Sequence, residues 1–366
     1  MNRFARDLHA ALAGASTQPN LVFSPASIAL ALAMVREGAA GTTAEQIDSL
    51  LNADERAGLT HSVRALSDLA DFNLALTIVN AMFVQRGYEL GQPFVAALRS
   101  QYDTAPELVD FAEDPDRARQ RINAWVDDVT RHRIRALVPV GAVDADTRLT
   151  LVNAVYMKAR WQFPFAPSAT ADADFTCSDS VVRPVPTMHL VAGLPYAVGD
   201  GWRCVSLPYL PGALTMQIVV PDIGQPLARA FDVAATAQPT ERARVALSLP
   251  RFEIETAVSL ANSLLDLGMG DAFALDTADF SGITTAERMC IGDVIHQANI
   301  TVDEEGTEAA AATAFAMAGA GMVTDPPIEF RVDRPFAFAV RDIANGTLLF
   351  LGHVGDPSSR FSRGDQ

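Results

Sequence analysis

Residues 303–323 read DEEGTEAAAATAFAMAGAGMV, and the local preferences within this stretch conflict. An acidic turn that contains Gly306 leads into alanines, which favour a helix, whereas the later glycines and Pro326-Pro327 favour a loop. If the stretch is placed in a β-strand, one face carries only small or apolar side chains: Thr307, Ala309, Ala311, Thr313 and Phe315. Such side chains can enter a sheet between two strands at little steric or desolvation cost. The stretch is therefore either a loop that can become a strand or an ordinary exposed loop of low complexity.

The chain around this stretch changes from helical to strand-rich patterns near Arg148. Before that point, Ser24-Pro25 predicts the start of a helix that Gly41 ends, and an amphipathic surface helix is predicted over 118–137. After that point short β-type runs separated by Pro, Gly and Asp dominate, with one predicted helix over 258–267. Helices first and strands later predict an α+β fold with large antiparallel or mixed sheets in one domain.

The composition excludes several classes of function. The 366 residues carry a net charge of −16 and a pI near 4.7, which argues against binding to a nucleic acid backbone. The three cysteines, Cys177, Cys204 and Cys290, are too widely spaced for a disulfide framework or a zinc site. No stretch is long and apolar enough to span a bilayer, and the first residues show no signal peptide. We therefore expect a cytoplasmic protein or the mature form of a secreted one, without a membrane partner.

No local motif of an enzyme is present. The sequence lacks GxSxG, GxxxxGK[ST], a complete GxGxxG and HExxH, and its six histidines have no Cys, Asp or Glu at metal-ligand spacing. Asp303-Glu304-Glu305-Gly306 lacks the alternating oxygen ligands of a calcium loop. The sequence therefore predicts neither an enzyme nor a metal or cofactor site.

Several motifs, spread in order over nearly the whole chain, resemble those of the serpin family. The most specific is EEGTEAAAATA at 304–314, which is similar to the family's hinge. The others are FSPASI at 23–28, INAWVDDVTRHRI at 122–134, NAVYMKARW at 153–161, VIHQANITVDEEG at 294–306, FRVDRPFAF at 330–338 and LLFLGHV at 348–354. The resemblance implies the serpin fold, with three β-sheets and about nine helices in a single domain over 1–366, and an exposed reactive loop at about 304–328.

The resemblance also implies inhibition of a serine protease by a suicide mechanism. In such a mechanism the protease attacks the exposed loop and forms an acyl-enzyme. The cleaved loop enters the main sheet as a new strand, and the tethered protease is displaced and distorted before deacylation. The alternative is a non-inhibitory serpin with a chaperone, carrier or storage role, which tends to carry a charged, bulky or proline residue where insertion begins. The residues that would enter first are all permissive, which favours inhibition: Thr307, Ala309, Ala311 and Thr313.

Individual residues take roles from the resemblance. Glu304 and Arg251 are expected to form an ion pair near Trp161, where the loop would enter the sheet, with Gly306 at the hinge. A polar cluster is expected beneath the place where the strands part: Ser24, Ser27, Asn153 and His296. The simpler interpretation of His296 is a buried core histidine whose hydrogen bonds are satisfied. The two interpretations coincide, because that hydrogen-bond network would hold the sheet closed.

The scissile bond stays open over a short range. The family's usual spacing from the hinge glycine indicates Ala320-Gly321, and the alternatives are Met322, Val323 and Thr324. Ala320 suits an elastase-like protease with a small pocket, whereas Met322 or Val323 suits chymotrypsin-like, subtilisin-like or elastase-like proteases. No Lys or Arg lies between Glu308 and Arg331, so trypsin-like targets are disfavoured.

The low lysine content, the three cysteines and the missing signal peptide resemble prokaryotic serpins more than secreted animal ones. The resemblance further implies a monomer that can polymerise when the loop of one copy enters the sheet of another, and it implies no cofactor. The resulting prediction is an inhibitory serpin of the prokaryotic type.

Overall fold

The computed structural model describes residues 2–51, 58–60, 62, 74–130, 132–307 and 326–359. Its helices are α1 (Asn2–Ala15), α2 (Pro25–Arg36), α3 (Gly41–Leu50), α4 (Gln92–Tyr102), α5 (Pro115–Val129), α6 (Leu227–Thr236) and α7 (Ala261–Asp266), with short 3-10 turns at Pro167–Ala169 and Asp271–Phe273. The strands are β1 (Asn20–Phe23), β2 (Leu74–Gln85), β3 (Glu107–Val109), β4 (Leu149–Arg160), β5 (Ala171–Thr176), β6 (Val182–Gly199), β7 (Trp202–Pro208), β8 (Leu214–Pro221), β9 (Arg242–Pro250), β10 (Phe252–Ser259), β11 (Asp293–Val302), β12 (Gly306–Thr307), β13 (Ile328–Arg331), β14 (Phe336–Asp342) and β15 (Leu348–Val354). Among these residues no helix is long and apolar enough to cross a membrane.

Six strands form the main sheet, in the order β10-β11-β12-β4-β2-β3. Over Asp293–Asn299, β11 pairs directly with β4 in a parallel ladder. Beyond that ladder the two strands diverge, and the two residues of β12 lie between them, antiparallel to both. The helix predicted over 258–267 is shorter than expected, because β10 stays in the sheet as far as Ser259, which pairs with Ile295. The main sheet is thus open between β11 and β4 at one end and closed along the rest.

Nine strands form the second sheet, in the order β1-β15-β14-β8-β7-β6-β9-β13, with β5 also paired to β6. The 18 residues of β6 pair with β9 over Thr187–Pro195 and with β7 over Tyr196–Gly199. One long strand therefore joins two groups of strands by continuous hydrogen bonding. The prediction of three separate sheets is wrong for the described residues. They form two sheets, because β6 belongs to both groups of strands in the second sheet.

Helix α2 is a core helix that packs against β2 and β4 of the main sheet and β15 of the second. Ser24 is its N-cap as predicted, and the Ser24 hydroxyl accepts a hydrogen bond from the N–H of Ser27 at 3.2 Å. The predicted end at Gly41 is wrong, because the Gly38 carbonyl leaves the helical pattern and accepts the N–H of Gly282 at 3.1 Å. Gly41 is instead the first residue of α3.

Helix α5 lies on the outer face of the main sheet, where its apolar stripe and the sheet enclose a second hydrophobic cluster. The helix ends at Val129, earlier than predicted, because the Thr130 hydroxyl accepts the N–H of Ile134 at 3.1 Å and turns the chain. The side-chain amide of Asn123 then bonds in both directions to the backbone of Val138, at 2.9 and 2.8 Å. The helix and the turn after it are therefore fastened together over the strands.

Candidate functional site

The acidic turn and hinge are held inside the main sheet. Gly306 and Thr307 pair with Arg160 and Ala159 of β4, and Thr307 also pairs with Val302 of β11. A Cβ on Gly306 would lie 2.0 Å from the carbonyl oxygen of Ala159, so only glycine fits at this close approach. Thr307 is fully buried. The first position of the small-residue face therefore already occupies the gap between the two strands.

Two aromatic rings lie beneath the hinge. Trp161 and Tyr209 stack with their ring centroids 4.3 Å apart, and a β-bridge joins their backbones. The Tyr209 hydroxyl lies 2.6 Å from the Thr307 hydroxyl, and Trp161 Nε1 donates to the carbonyl of Asp303 at 2.9 Å. Burial raises the pKa of Tyr209, so its hydroxyl keeps its proton. The rings thus hold both the turn and Thr307.

Glu304 and Arg251 form the ion pair that the sequence predicts, close to Trp161, whose backbone N–H donates to the Glu305 carbonyl at 2.8 Å. The Glu304 carboxylate, whose side chain is 6% exposed, accepts hydrogen bonds from Arg251 Nε at 2.9 Å, from Arg251 Nη2 and from the Thr170 hydroxyl. Burial disfavours the charged carboxylate, but these hydrogen bonds outweigh it and hold the pKa of Glu304 below its usual value. Because Arg251 is half exposed, solvent weakens the pair.

Asp303 shapes the turn that precedes the hinge glycine. Its Oδ1 accepts the N–H groups of Glu305 at 2.9 Å and of Gly306 at 3.1 Å, and its own N–H donates to the Gly306 carbonyl at 3.0 Å. Burial raises the pKa of Asp303, although the two N–H donors act in the opposite direction. This closed turn directs the chain from the end of β11 back into the gap beside it.

The four residues of the expected polar cluster meet in the core and are all fully buried. His296 and Asn153 lie directly opposite each other where β11 pairs with β4. The amide group of Asn153 donates to the Ser27 hydroxyl and to Asn80 Oδ1, and Asn153 Oδ1 bonds to His296 Nδ1. The N–H of Ser24 donates to His296 Nε2 at 3.2 Å. The cluster therefore fastens α2 to β4 and β11, the two strands that pair with each other at this point.

These hydrogen bonds fix the protonation state of His296. Because Nε2 accepts a backbone N–H, the ring proton lies on Nδ1 and is donated to Asn153. Burial lowers the pKa of His296 to about 3, so the ring is neutral at physiological pH. A proton on Nε2 would face the N–H of Ser24, donor against donor. The cluster is complete only while His296 is neutral.

A family model described as Serpin (serine protease inhibitor) matches residues 1–357. The chain belongs to the serpin family. This serpin is 36% identical to an uncharacterized serpin-like protein of Thermococcus kodakarensis, over 98% of its own length and 85% of that protein. It is 35% identical to the leukocyte elastase inhibitor of Bos taurus, over 97% of its own length and 98% of that protein. Because these relatives come from an archaeon and a mammal, a prokaryotic origin stays a prediction.

A solved structure confirms the α+β serpin fold that the sequence predicts. Serpin48, described as a highly specific serpin of the insect Tenebrio molitor, gives a TM-score of 0.85 at 30% identity. The similarity covers 97% of this serpin and 96% of the insect chain. The hinge, the ion pair and the polar cluster therefore stand in a fold of known family and not in an unrelated mixture of helices and strands.

Part of the serpin's predicted site lies outside the described residues. These positions are the later small residues of the hinge face and the candidates for the scissile bond: Ala309, Ala311, Thr313, Ala320, Gly321, Met322, Val323 and Thr324. Their roles stay predictions, as does the role of the hinge, the ion pair and the polar cluster in loop insertion.

Sequence reasoning misses four residues that complete the serpin's site: Tyr209, Thr170, Asp303 and Asn80. Asn80 does carry a signal, because it is a polar residue in the apolar run LALTIVNAMFV of β2. Tyr209 carries none, since it stands in a turn-like SLPYLPG segment and reaches Thr307 only through the tertiary fold.

Proposed function

We propose that this serpin inhibits a serine protease by a suicide mechanism and is not itself an enzyme. The observation that carries the proposal is the position of Gly306 and Thr307, which occupy the open end of the gap between β11 and β4. Below them the same two strands pair directly over Asp293–Asn299 of β11. A strand that begins at Thr307 can therefore be extended only by separating that parallel ladder.

The register of β12 indicates where each later residue would lie in an extended strand. Thr307 is aligned with both neighbouring strands, antiparallel to each. Six residues farther along the chain is Thr313, and six residues back along β4 and β11 are Asn153 and His296. Both neighbours thus support the same alignment, in which Thr313 meets the polar cluster. The small side chains that begin with Thr307 would point towards the core over the full length of the extended strand.

Insertion replaces one backbone ladder with two, which supplies the driving force. Each hydrogen bond gained contributes roughly 0.5–1.5 kcal/mol. Ala309 and Ala311, which follow Thr307 on the inward face, add neither a charge nor a bulky group that would have to be accommodated in the core. This permissive face supports the inhibitory function over a chaperone, carrier or storage role.

The chemistry would be that of an interrupted hydrolysis. The catalytic serine of the protease attacks the carbonyl carbon of the scissile bond, forms an ester with the N-terminal part of this chain and releases the amine of the C-terminal part. Insertion of the freed segment then carries the esterified protease away before water can hydrolyse the ester. We propose that the scissile bond is Ala320-Gly321, with Met322, Val323 and Thr324 as the alternative positions of the cut. These positions suit an elastase-like, chymotrypsin-like or subtilisin-like protease.

Incubation with pancreatic elastase, chymotrypsin, subtilisin and trypsin tests the proposal. We expect an SDS-stable complex with at least one of the first three, with one serpin consumed per protease. The mass of the released C-terminal fragment should locate the cut between Ala320 and Thr324. Size-exclusion chromatography of the untreated serpin checks the proposed monomer.

The matched control is Thr307→Arg, which places a charge in a fully buried hinge position. This variant should be cleaved without forming a complex, because the strand cannot extend. Cleavage of the wild type without a complex, and without a rise in thermal stability, would refute insertion and favour a non-inhibitory serpin. Continued turnover of a substrate by the serpin alone would indicate an enzyme.

A further inference from the structure

A groove of about 600 Å³ lies on the outer face of β5, β6, β9 and β13 in the second sheet. Two rows of side chains cross it from β6 through β9 to β13: His189, Ser248 and Arg331 in one row, and Val191, Ala246 and Glu329 in the next. His189 Nδ1 lies 3.0 Å from the Ser248 hydroxyl, which links the first two strands of the polar row. Val191 is 55% exposed although it is apolar. The face therefore offers a polar row and an apolar side chain to solvent.

The groove lies beside the place where the proposed reactive segment rejoins the sheet. β13 begins at Ile328, four residues beyond Thr324 and eight beyond Ala320. Because an extended chain spans at most about 3.6 Å per residue, every proposed scissile bond lies within about 30 Å of Ile328. A protease domain of about 230 residues has a radius of gyration of about 17 Å and is therefore about 45 Å across. A protease on that bond is wide enough to reach the groove.

The charges that line the groove are mostly negative. Asp174, Glu329 and Asp333 line it, against the single cation Arg331. Arg331 lies 3.3 Å from Glu329, so these two charges largely balance each other. Asp333 is paired with Arg334 at 2.7 Å. Asp174 is exposed on the edge strand β5 and has no ion-pair partner among the residues that the structure describes.

We propose that this groove is a second docking surface for the protease and that it receives a surface loop carrying Arg or Lys. The inference rests on the proposed function, because it assumes that a protease engages the neighbouring segment. A basic side chain of the loop would lie against Asp174, and an apolar one would cover Val191. Its backbone would meet the polar groups of His189 and Ser248. The net charge of the chain, −16, would add to the attraction of a basic loop. The contact would therefore speed association with the protease although it does not involve the scissile bond.

The test compares Asp174→Lys with Asp266→Lys. Both substitutions reverse one exposed charge, but Asp266 lies in α7, which follows the end of β10 opposite to the hinge. For Asp174→Lys the rate of complex formation with the inhibited protease should fall about three- to tenfold at low salt, and the difference should shrink at high salt. Asp266→Lys should keep the wild-type rate at both salt concentrations.

A second measurement separates failure of this inference from failure of the proposed function. Binding is measured to pancreatic elastase, chymotrypsin and subtilisin whose catalytic serine is replaced by alanine, so that no acyl-enzyme can form. If no SDS-stable complex forms but the wild type binds an inactive protease more tightly than Asp174→Lys does, the docking surface stands and the suicide mechanism falls. If complexes form but Asp174→Lys associates at the wild-type rate at low salt, the docking surface is refuted. Equal binding of all three serpin variants to the inactive proteases refutes it as well.

Discussion

Replacement of His296 by glutamine is expected to reduce the loss of free energy of unfolding that this serpin suffers in acid. In the native state the neutral imidazole accepts the N–H of Ser24 and donates to Asn153. Acid turns Nε2 into a second donor, which opposes the N–H of Ser24 and breaks the link between α2, β4 and β11. A glutamine side chain can offer an acceptor and a donor to the same surroundings but gains no proton in this range.

The size of the effect follows from the two pKa values of His296. Burial lowers its pKa to about 3 in the native state, against 6.5 for an ordinary histidine. Because the native pKa is depressed, the unfolded state takes up the proton first, and the free energy of unfolding decreases as the pH falls from 6.5 towards 3. One pH unit corresponds to about 1.4 kcal/mol, so the loss amounts to about 2 kcal/mol at pH 5 and about 4 kcal/mol at pH 3, where half of the native molecules also carry the proton.

Urea unfolding followed by tryptophan fluorescence at pH 7.5 and pH 5 measures this difference. Over that interval the wild type should lose about 2 kcal/mol more free energy of unfolding than His296→Gln does. His9 and His353, whose pKa values burial also lowers, to about 3 and about 4, are present in both proteins and cancel in the comparison. His189→Gln, which removes an exposed histidine, is the control. Equal losses in the wild type and His296→Gln would refute the neutral state assigned to the buried ring.

Three further substitutions test the contacts of the hinge. Tyr209→Phe deprives the buried Thr307 hydroxyl of its partner at 2.6 Å and should lower the free energy of unfolding in urea by about 1–3 kcal/mol. Gly306→Ala places a methyl group 2.0 Å from a backbone oxygen of β4, so the hinge amides should exchange hydrogen faster, whereas Gly193→Ala, with nothing within 4 Å, should leave exchange unchanged. Glu304→Gln removes the charge that faces the half-exposed Arg251 and should lower the free energy of unfolding by about 1 kcal/mol, measured as a lower thermal midpoint. An unchanged midpoint would mean that solvent screens the pair completely.

The strand-rich pattern after Arg148 is predicted correctly, because most of the strands there bury at least one face. The motif LLFLGHV at 348–354 is a strand over its whole length, and every residue in it except His353 is buried. Helix ends are predicted less well. Hydrophobic periodicity continues past Val129, but the side chain of Thr130 turns the chain there through hydrogen bonds that periodicity does not report. Hydrophobic periodicity thus predicts the presence of the helices and strands, whereas side-chain hydrogen bonds such as those of Thr130 determine where a helix ends.

Contacts between distant segments account for what sequence reasoning does not reach at the site. The Glu304–Arg251 pair is predictable because the resemblance to the family assigns both residues to it. Tyr209 bonds to Thr307 across 98 residues of chain, and no spacing rule connects them. The union of two sheets through β6 is of the same kind, because it depends on the partners that a long strand finds at each of its ends.

The register of the main sheet implies that the hinge and the polar cluster act at different stages of the proposed insertion. The β11–β4 ladder ends at Asn299, so the first steps of insertion would break only backbone bonds. His296 lies three residues farther down β11, opposite Asn153, and would be met later. In the proposed register Thr313 would arrive there, and its hydroxyl could both donate to and accept from the groups that the cluster would lose. Changes at the hinge should therefore alter how readily insertion starts, whereas changes at His296 should alter both the lifetime of the closed sheet and the completion of the new strand, because the same polar groups serve both states.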